Sequence, residues 1–275
     1  MTEFDTGTDT LLCNLSNGVA TITLNRPEKR NALSDELTPA LRETLLTLDT
    51  HPDVRCVVLT GAGNAFCAGG DVSGMGSGRS NDSTKARPTV QDAAANLLHR
   101  QETLTLRLHR LSKPTIAALP GAAAGAGMSI ALACDIRIAA RSAFITTAFA
   151  NVGLSGDYGG SWFLTRIVGS AKAKELYFTA QRIYGEEGVR LGLFNRVVDD
   201  DQLQTQAQEL AQQIASGPPI AIRYMKENLN RAIDCDLMTS LQMEADKMVR
   251  CTQTEDHREA VSAFLEKRSP DFKGQ

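Results

Sequence analysis

The stretch that most constrains this chain runs from Lys113 to Asp135, KPTIAALPGAAAGAGMSIALACD. Thr115 to Leu119 is a short apolar strand, and Pro120-Gly121 turns it. The chain then passes Gly125-Ala126-Gly127 into an apolar helix, Met128 to Ala133. The small residues Ala122 to Gly127 let a second backbone or a ligand approach closely. The first N–H groups of a helix have no internal partner, and the helix dipole favours negative charge there. The Gly125–Gly127 corner can therefore hold an oxyanion. Alone, it reads equally well as a tight strand-to-helix turn in a buried core.

A second stretch repeats the device. Val54 to Thr60 is an apolar strand that runs into GAGNAFCAGGD, ending at Asp71. Two such turns can aim two N–H groups at one carbonyl oxygen. Reactions through an enolate need this, and losing one donor costs ~10²–10³ in rate.

AFCAGGD, PGAAAGAGMSIALACD, NRPEKRNALS near the start and FLEKRSPDF at the end resemble the enoyl-CoA hydratase/isomerase (crotonase) superfamily, in order and spacing, over roughly Asn14 to Phe272. The resemblance implies an α/β fold, a spiral of β-β-α turns with a C-terminal helical oligomerisation region. Residues 1–200 would form the core with the coenzyme A and acyl sites, and residues 201–275 a helical trimerisation region. It implies a homotrimer or a dimer of trimers acting on an acyl-CoA, with coenzyme A part of the substrate and no separate cofactor.

The residues can be read beside that resemblance. Net charge is −3, from 29 basic and 32 acidic residues, with no basic block, so no nucleic-acid surface is indicated. Six scattered cysteines without a CxxC pair fit a reducing compartment. Cys67 lies near the proposed site but has no partnering histidine in sequence, so it reads as a neighbour. The polar, acidic start is unlike a signal peptide, and no apolar run reaches the ~18 residues of a membrane span. A cytoplasmic protein without membrane contact is expected. No cluster has metal-ligand spacing.

Along the chain, Leu11–Asn17 and Gly18–Leu24 alternate around Asn17-Gly18, a hairpin signal. The loop after it carries Arg26, Lys29 and Arg30, which are solvated surface or, by the resemblance, contacts for the phosphates of coenzyme A. Ser34 caps a helix through Leu48. Residues 72–90 read as a lid over the acyl pocket, with Met75 a lining residue. Gln91–Leu111 reads as one helix with a stripe of Leu97, Leu98, Leu104 and Leu108; its His99 and His109 read as solvated or core residues. Strand and helix alternate to Val198, and from Asp201 the pattern is helical.

By the resemblance, Gly70 and Ala126 supply the oxyanion N–H groups, and the carbonyl near Ala68 contacts the adenine of coenzyme A. Asp71 is a structural anchor rather than an acid/base group. Phe264 and Lys267 complete a coenzyme A site, commonly that of a neighbouring subunit. The two glutamates of a hydratase fall at Ser129 and Phe149, and neither residue can replace them. One carboxylate remains, Asp157 in SGDYGGS, where some family isomerases carry an aspartate. A naphthoate-synthase branch has one there too, and a dehalogenase branch uses it as nucleophile. Read locally, Asp157 is also a turn residue before two glycines. Tyr158 is a further polar contact, and Ser129 a group that orients a water. The expectation is double-bond isomerisation with Asp157 as acid/base. Water addition through Asp157 and Ser129, and acyl-CoA binding without chemistry, remain alternatives.

Overall fold

The computed structural model describes residues 2–71 and 88–275. Met75 lies outside the described residues, as does most of the expected lid. The N-terminal region is a meander. Strand β1 (Thr2–Phe4) pairs antiparallel with β2 (Leu11–Ser16), which pairs with β3 (Val19–Leu24). Asn17 and Gly18 turn that hairpin with φ of 51° and 77°, the left-handed pair a two-residue loop requires. Helix α1 (Leu37–Thr50) follows, burying Leu37, Leu41, Leu45 and Leu48. Ser34 Oγ accepts from the Leu37 N–H at 3.1 Å, so the expected cap forms, three residues before the helix begins.

Next come β4 (Cys56–Gly61), β5 (Ala65–Cys67), and a long helical segment. That segment is not one regular helix. It runs as α2 (Val90–Gln101), a π-turn over Glu102–Leu106, and α3 (Arg107–Arg110). Thr103 and Thr105 donate to the carbonyls of His99 and Gln101, four residues back, which loosens the backbone ladder there. Leu104 and Leu108 are buried, whereas Leu97 and Leu98 are exposed, so only half of the expected stripe meets the core.

The central stretch gives β6 (Thr115–Leu119), β7 (Ala122–Ala124) and α4 (Ala126–Ala133), then β8 (Ile136–Ala140) and β9 (Phe144–Thr146). A seven-stranded sheet runs β1-β2-β3-β4-β6-β8-β11, with β11 at Arg196–Val198. From β3 onward its pairs are parallel. A four-stranded sheet runs β10-β9-β7-β5, with β10 at Ile183–Tyr184. Each of β4, β6 and β8 is followed directly by a short strand of the small sheet, so the chain winds as repeated β-β-α turns. Helices α5 (Gly160–Val168), α6 (Ser170–Thr179) and α7 (Gly185–Arg190) complete this part.

The C-terminal helices are α8 (Leu203–Ala215), α9 (Pro219–Ala232), α10 (Leu237–Thr252) and α11 (Glu255–Glu266). Helix α8 buries Leu203, Ala207, Ala211 and Ala215 in the same core as the large sheet. Burial therefore ties α8 to the core, and α9 is joined to it by a partly buried ion pair, Lys226 to Asp135 at 2.8 Å. Among the described residues, no helix is long and apolar enough to cross a membrane.

Candidate active site

Every residue of α4 is buried, as expected of a helix that is apolar all round. Gly127 lets it sit against β5. A Cβ there would overlap the Cys67 carbonyl oxygen and approach its carbon at 2.8 Å. The same closeness places Gly69 on the helix start, where its Cβ would stand 2.8 Å from the Ala124 carbonyl and 3.4 Å from the Ala126 nitrogen. The two glycine turns therefore meet.

Gly70 forms an isolated parallel bridge with Leu33. Leu33 donates to the Gly69 carbonyl at 2.8 Å, and Asp71 donates to the Leu33 carbonyl at 3.2 Å. In such a bridge the middle residue's N–H points away from the partner segment. Neither the Gly70 nor the Ala126 N–H donates to a backbone carbonyl among the described residues. Both residues line two adjoining cavities, of about 420 and 400 Å³, and Asp157 lines both as well. Two donors without a backbone acceptor among the described residues thus share the junction of two spaces with two carboxylates, Asp157 and the Arg26-paired Asp71.

The loop carrying Asp157 is held by its main chain. The Asp157 carbonyl accepts from Ser129 Oγ at 3.0 Å and from the Gly160 N–H at 3.1 Å. Its Oδ1 is buried and has no hydrogen-bond partner among the described residues. Burial pushes the carboxyl up from 3.8 to about 6, so it is a better base than a solvated aspartate. Ser129 is fully buried, and among the described residues its hydroxyl donates to the backbone carbonyls of Asp157 and Gly125, which makes it a tether between helix and loop. Phe149 forms an apolar wall of the first cavity and stacks on Tyr177, centroids 6.0 Å apart. Tyr158 is buried at φ 51° and lines the second cavity; burial and the nearby Asp157 charge push its phenol up.

The cationic loop divides. Arg26 donates to the Ala32 carbonyl at 2.7 Å and pairs with Asp71 at 3.3 Å, so it is engaged inside the protein and Asp71 anchors it. Lys29 and Arg30 are exposed, and Lys29 lines the first cavity beside Ala68. Phe264 is 83 % exposed on α11, and Lys267 is that helix's left-handed C-cap. Neither lines either cavity of this single chain.

Two residues that the sequence reading did not single out matter here. Asn31 is fully buried, accepts from the Arg26 N–H, and donates to the Ala62 and Ala65 carbonyls, pinning the loop to the β4–β5 turn. The asparagine closing the RPEKRN loop was its only signal. Tyr177 reaches the turn around Asp157 from α6, and no local pattern announces it. Cys67 is buried with its thiol pushed up to about 12, which leaves it unreactive. His109 packs edge-on against Trp162 and Phe163, in a third cavity whose Lys226 and Asp135 pair with each other. Among the described residues, no three His, Cys, Asp or Glu are placed to hold a metal ion.

Comparisons with known proteins agree with this architecture. The family model described as enoyl-CoA hydratase/isomerase matches residues 14–275. The 1,2-epoxyphenylacetyl-CoA isomerase of Escherichia coli (strain K12) is 40% identical over 96% of this chain and 98% of its own. The short-chain-enoyl-CoA hydratase of Clostridium acetobutylicum is 38% identical over 91% and 92%. The crystal structure of an enoyl-CoA hydratase from Polaromonas sp. JS666 superimposes with a TM-score of 0.87 at 35% identity, covering 95% of this chain and 99% of that one. On sequence and fold alike, the chain belongs to the enoyl-CoA hydratase/isomerase family.

Proposed function

We propose that this enzyme shifts a double bond within an enoyl-CoA thioester. The Gly70 and Ala126 N–H groups hold the thioester oxygen. Asp157 takes a proton from one carbon of the acyl chain, and the electron pair moves into a dienolate whose negative oxygen those two donors stabilise. The protonated Asp157 then returns the proton to a different carbon, so no water is consumed. The observation that carries this reading is the Asp157 carboxylate, which lines both cavities beside the two donors and is pushed up to about 6, whereas Asp71, which also lines both, is paired with Arg26. The Escherichia coli relative named as an isomerase supports it.

Water addition is the second reading, and the hydratase named from Clostridium acetobutylicum favours it. Against it stand Phe149, which cannot transfer a proton, and Ser129, whose hydroxyl is engaged by main-chain carbonyls. Lys29 and Arg30 serve the phosphates of coenzyme A, and the Ala68 carbonyl its adenine. Phe264 and Lys267 complete the site of a neighbouring subunit in a homotrimer, which accounts for their distance from this chain's own cavities.

Incubation in deuterium oxide with a panel of 2-enoyl- and 3-enoyl-CoA esters, followed by mass spectrometry, tests the reading. Isomerisation gives a shifted double bond, or deuterium gain where the proton on Asp157 exchanges before its return, without added water mass, and Asp157→Asn abolishes it while ester binding persists. A product heavier by one water establishes the hydratase instead. Tight binding with no product from any ester favours an acyl-CoA-binding protein.

A further inference from the structure

The turn that carries Asp157 is wrapped around a half-buried tyrosine, Tyr177, whose hydroxyl is buried. Gly156 and Gly160 bracket the aspartate, and both are open because Tyr177 occupies the space a side chain would need. A Cβ on Gly156 would stand 3.0 Å from Tyr177 Cε1 and 3.3 Å from its hydroxyl; a Cβ on Gly160 would stand 2.8 Å from that hydroxyl and 2.5 Å from Ser129 Oγ. The Tyr177 hydroxyl is buried and has no hydrogen-bond partner among the described residues. Asp157 Oδ1 is in the same condition. A buried donor that packs against the turn carrying a buried acceptor, neither satisfied among the described residues, is costly unless the two serve each other in some state of the protein.

The phenol is fixed in place. Its ring stacks on Phe149 at an interplanar angle of 16°. The Thr147 hydroxyl donates to the Leu176 carbonyl at 2.9 Å, and the Thr146 hydroxyl donates to the Ala180 carbonyl at 2.8 Å, which tie α6 to the segment leading into this loop. Burial first, then the Asp157 charge, pushes the Tyr177 phenol up to about 12, so it keeps its proton throughout the working pH range and can only donate to a carboxylate.

We propose that Tyr177 is a positioning residue for Asp157: its hydroxyl donates to the inward-facing Oδ1 when the carboxylate is charged, leaving the other oxygen for the substrate. The proposal deepens the assignment of Asp157 as the acid/base group and rests on it. The bond forms as the carboxylate ionises and loosens when it takes up a proton, so Tyr177 lowers the basicity that burial alone would give. Other polar and charged groups near Asp157 are Tyr158 on its own loop, Ser129 on α4, and Lys29, Asp35, Asp71 and Arg100 on the cavity walls. Among the described residues, none of these pairs with the Asp157 carboxylate.

The test is a direct titration of Asp157 by carbon-13 NMR in protein labelled at the aspartate carboxyl carbon, assigned with Asp157→Asn. In Tyr177→Phe the ring stack is kept and the donor is lost, so the midpoint of Asp157 moves upward by about one pH unit. The acid limb of kcat/KM moves with it, while KM changes little. Site-specific 3-fluorotyrosine at position 177 makes the phenol a stronger donor, moves the midpoint downward, and serves if Tyr177→Phe folds poorly. Superimposable titrations in all three proteins overturn the proposal. If the titrations move but Asp157→Asn retains full activity, the hydrogen bond stands and the catalytic assignment of Asp157 fails separately.

Discussion

The Ser129 hydroxyl donates to the main-chain carbonyl of Asp157 at 3.0 Å, which joins the helix of the oxyanion corner to the loop bearing the carboxylate. The proposed donor Ala126 and the proposed base Asp157 are thereby held in one frame. Ser129→Ala should leave the fold intact and lower kcat about 10-fold, because small misplacement of a reacting group is costly. KM should stay within about twofold, since binding of the coenzyme A portion does not depend on this tether. Steady-state kinetics check this. A large rise in KM with kcat unchanged would contradict the tether.

Gly127 sets the distance between the two proposed donors, Gly70 and Ala126. Its missing Cβ is what allows β5 to lie on α4, and the atoms in the way are main-chain atoms of Cys67 that cannot rotate aside. Gly127→Ala should cost about 3 kcal/mol of stability. Any folded fraction should show reduced kcat, because Gly70 and Ala126 are pushed apart. Gly153→Ala is the comparison: nothing lies within 4 Å of that Cβ, so only its φ of +68° is penalised. Thermal melts of the two variants should differ clearly, with Gly127→Ala the lower.

Arg26 and Lys29 sit in one short loop but should respond differently. Arg26 is engaged by the Ala32 carbonyl and Asp71, so Arg26→Gln should cost about 1 kcal/mol of stability. Lys29 is exposed beside the first cavity, so Lys29→Ala should leave stability unchanged and raise KM for an acyl-CoA several-fold at low salt, an effect that shrinks as salt screens the phosphates. Melts and a salt series of KM separate the two. A stable Arg26→Gln with a raised KM would make Arg26 the phosphate ligand instead.

Much of this was legible because periodicity and turn chemistry act locally. The Asn17-Gly18 hairpin, β6 and the run of C-terminal helices stand as read, with ends displaced by a residue or two. The short strands β5 and β7 did not. Ala65–Cys67 and Ala122–Ala124 read as parts of glycine turns, and they are strands only because each pairs with a partner distant in sequence. The interrupted α2–α3 segment was hidden because its apolar spacing is helical, while the deviation comes from two threonine hydroxyls. Motif order picks out Gly70, Ala126 and Asp157, which line the same two cavities, but the internal engagement of Arg26 and the approach of Tyr177 depend on tertiary contacts.

The raised Asp157 carboxyl links activity to pH. A base must be ionised, so kcat/KM for the wild-type chain should rise with pH through about 6 and level off above it. An initial-rate profile over a non-titrating buffer series checks this. A level acid limb extending to pH 4 would show that the catalytic carboxylate titrates near its ordinary value, or that another group is the base.

The same group should link stability to pH in the opposite sense. Its folded pKa, about 6, lies above its ordinary value of 3.8, because burial penalises the charged form. The folded state therefore binds the proton more tightly, and the stability this confers is present below about pH 4 and is lost as pH rises through about 6. Asp157→Asn removes the titration and keeps the shape. The variant should match the wild type in stability near pH 4 and exceed it above pH 7 by about 1 kcal/mol, allowing for the carboxylate's partial contact with water. Chemical denaturation at both pH values measures the difference. A variant no more stable than the wild type at the higher pH would mean that the charged carboxylate is well satisfied in the folded protein, which makes a hydrogen bond from a neighbour such as Tyr177 strong enough to offset burial.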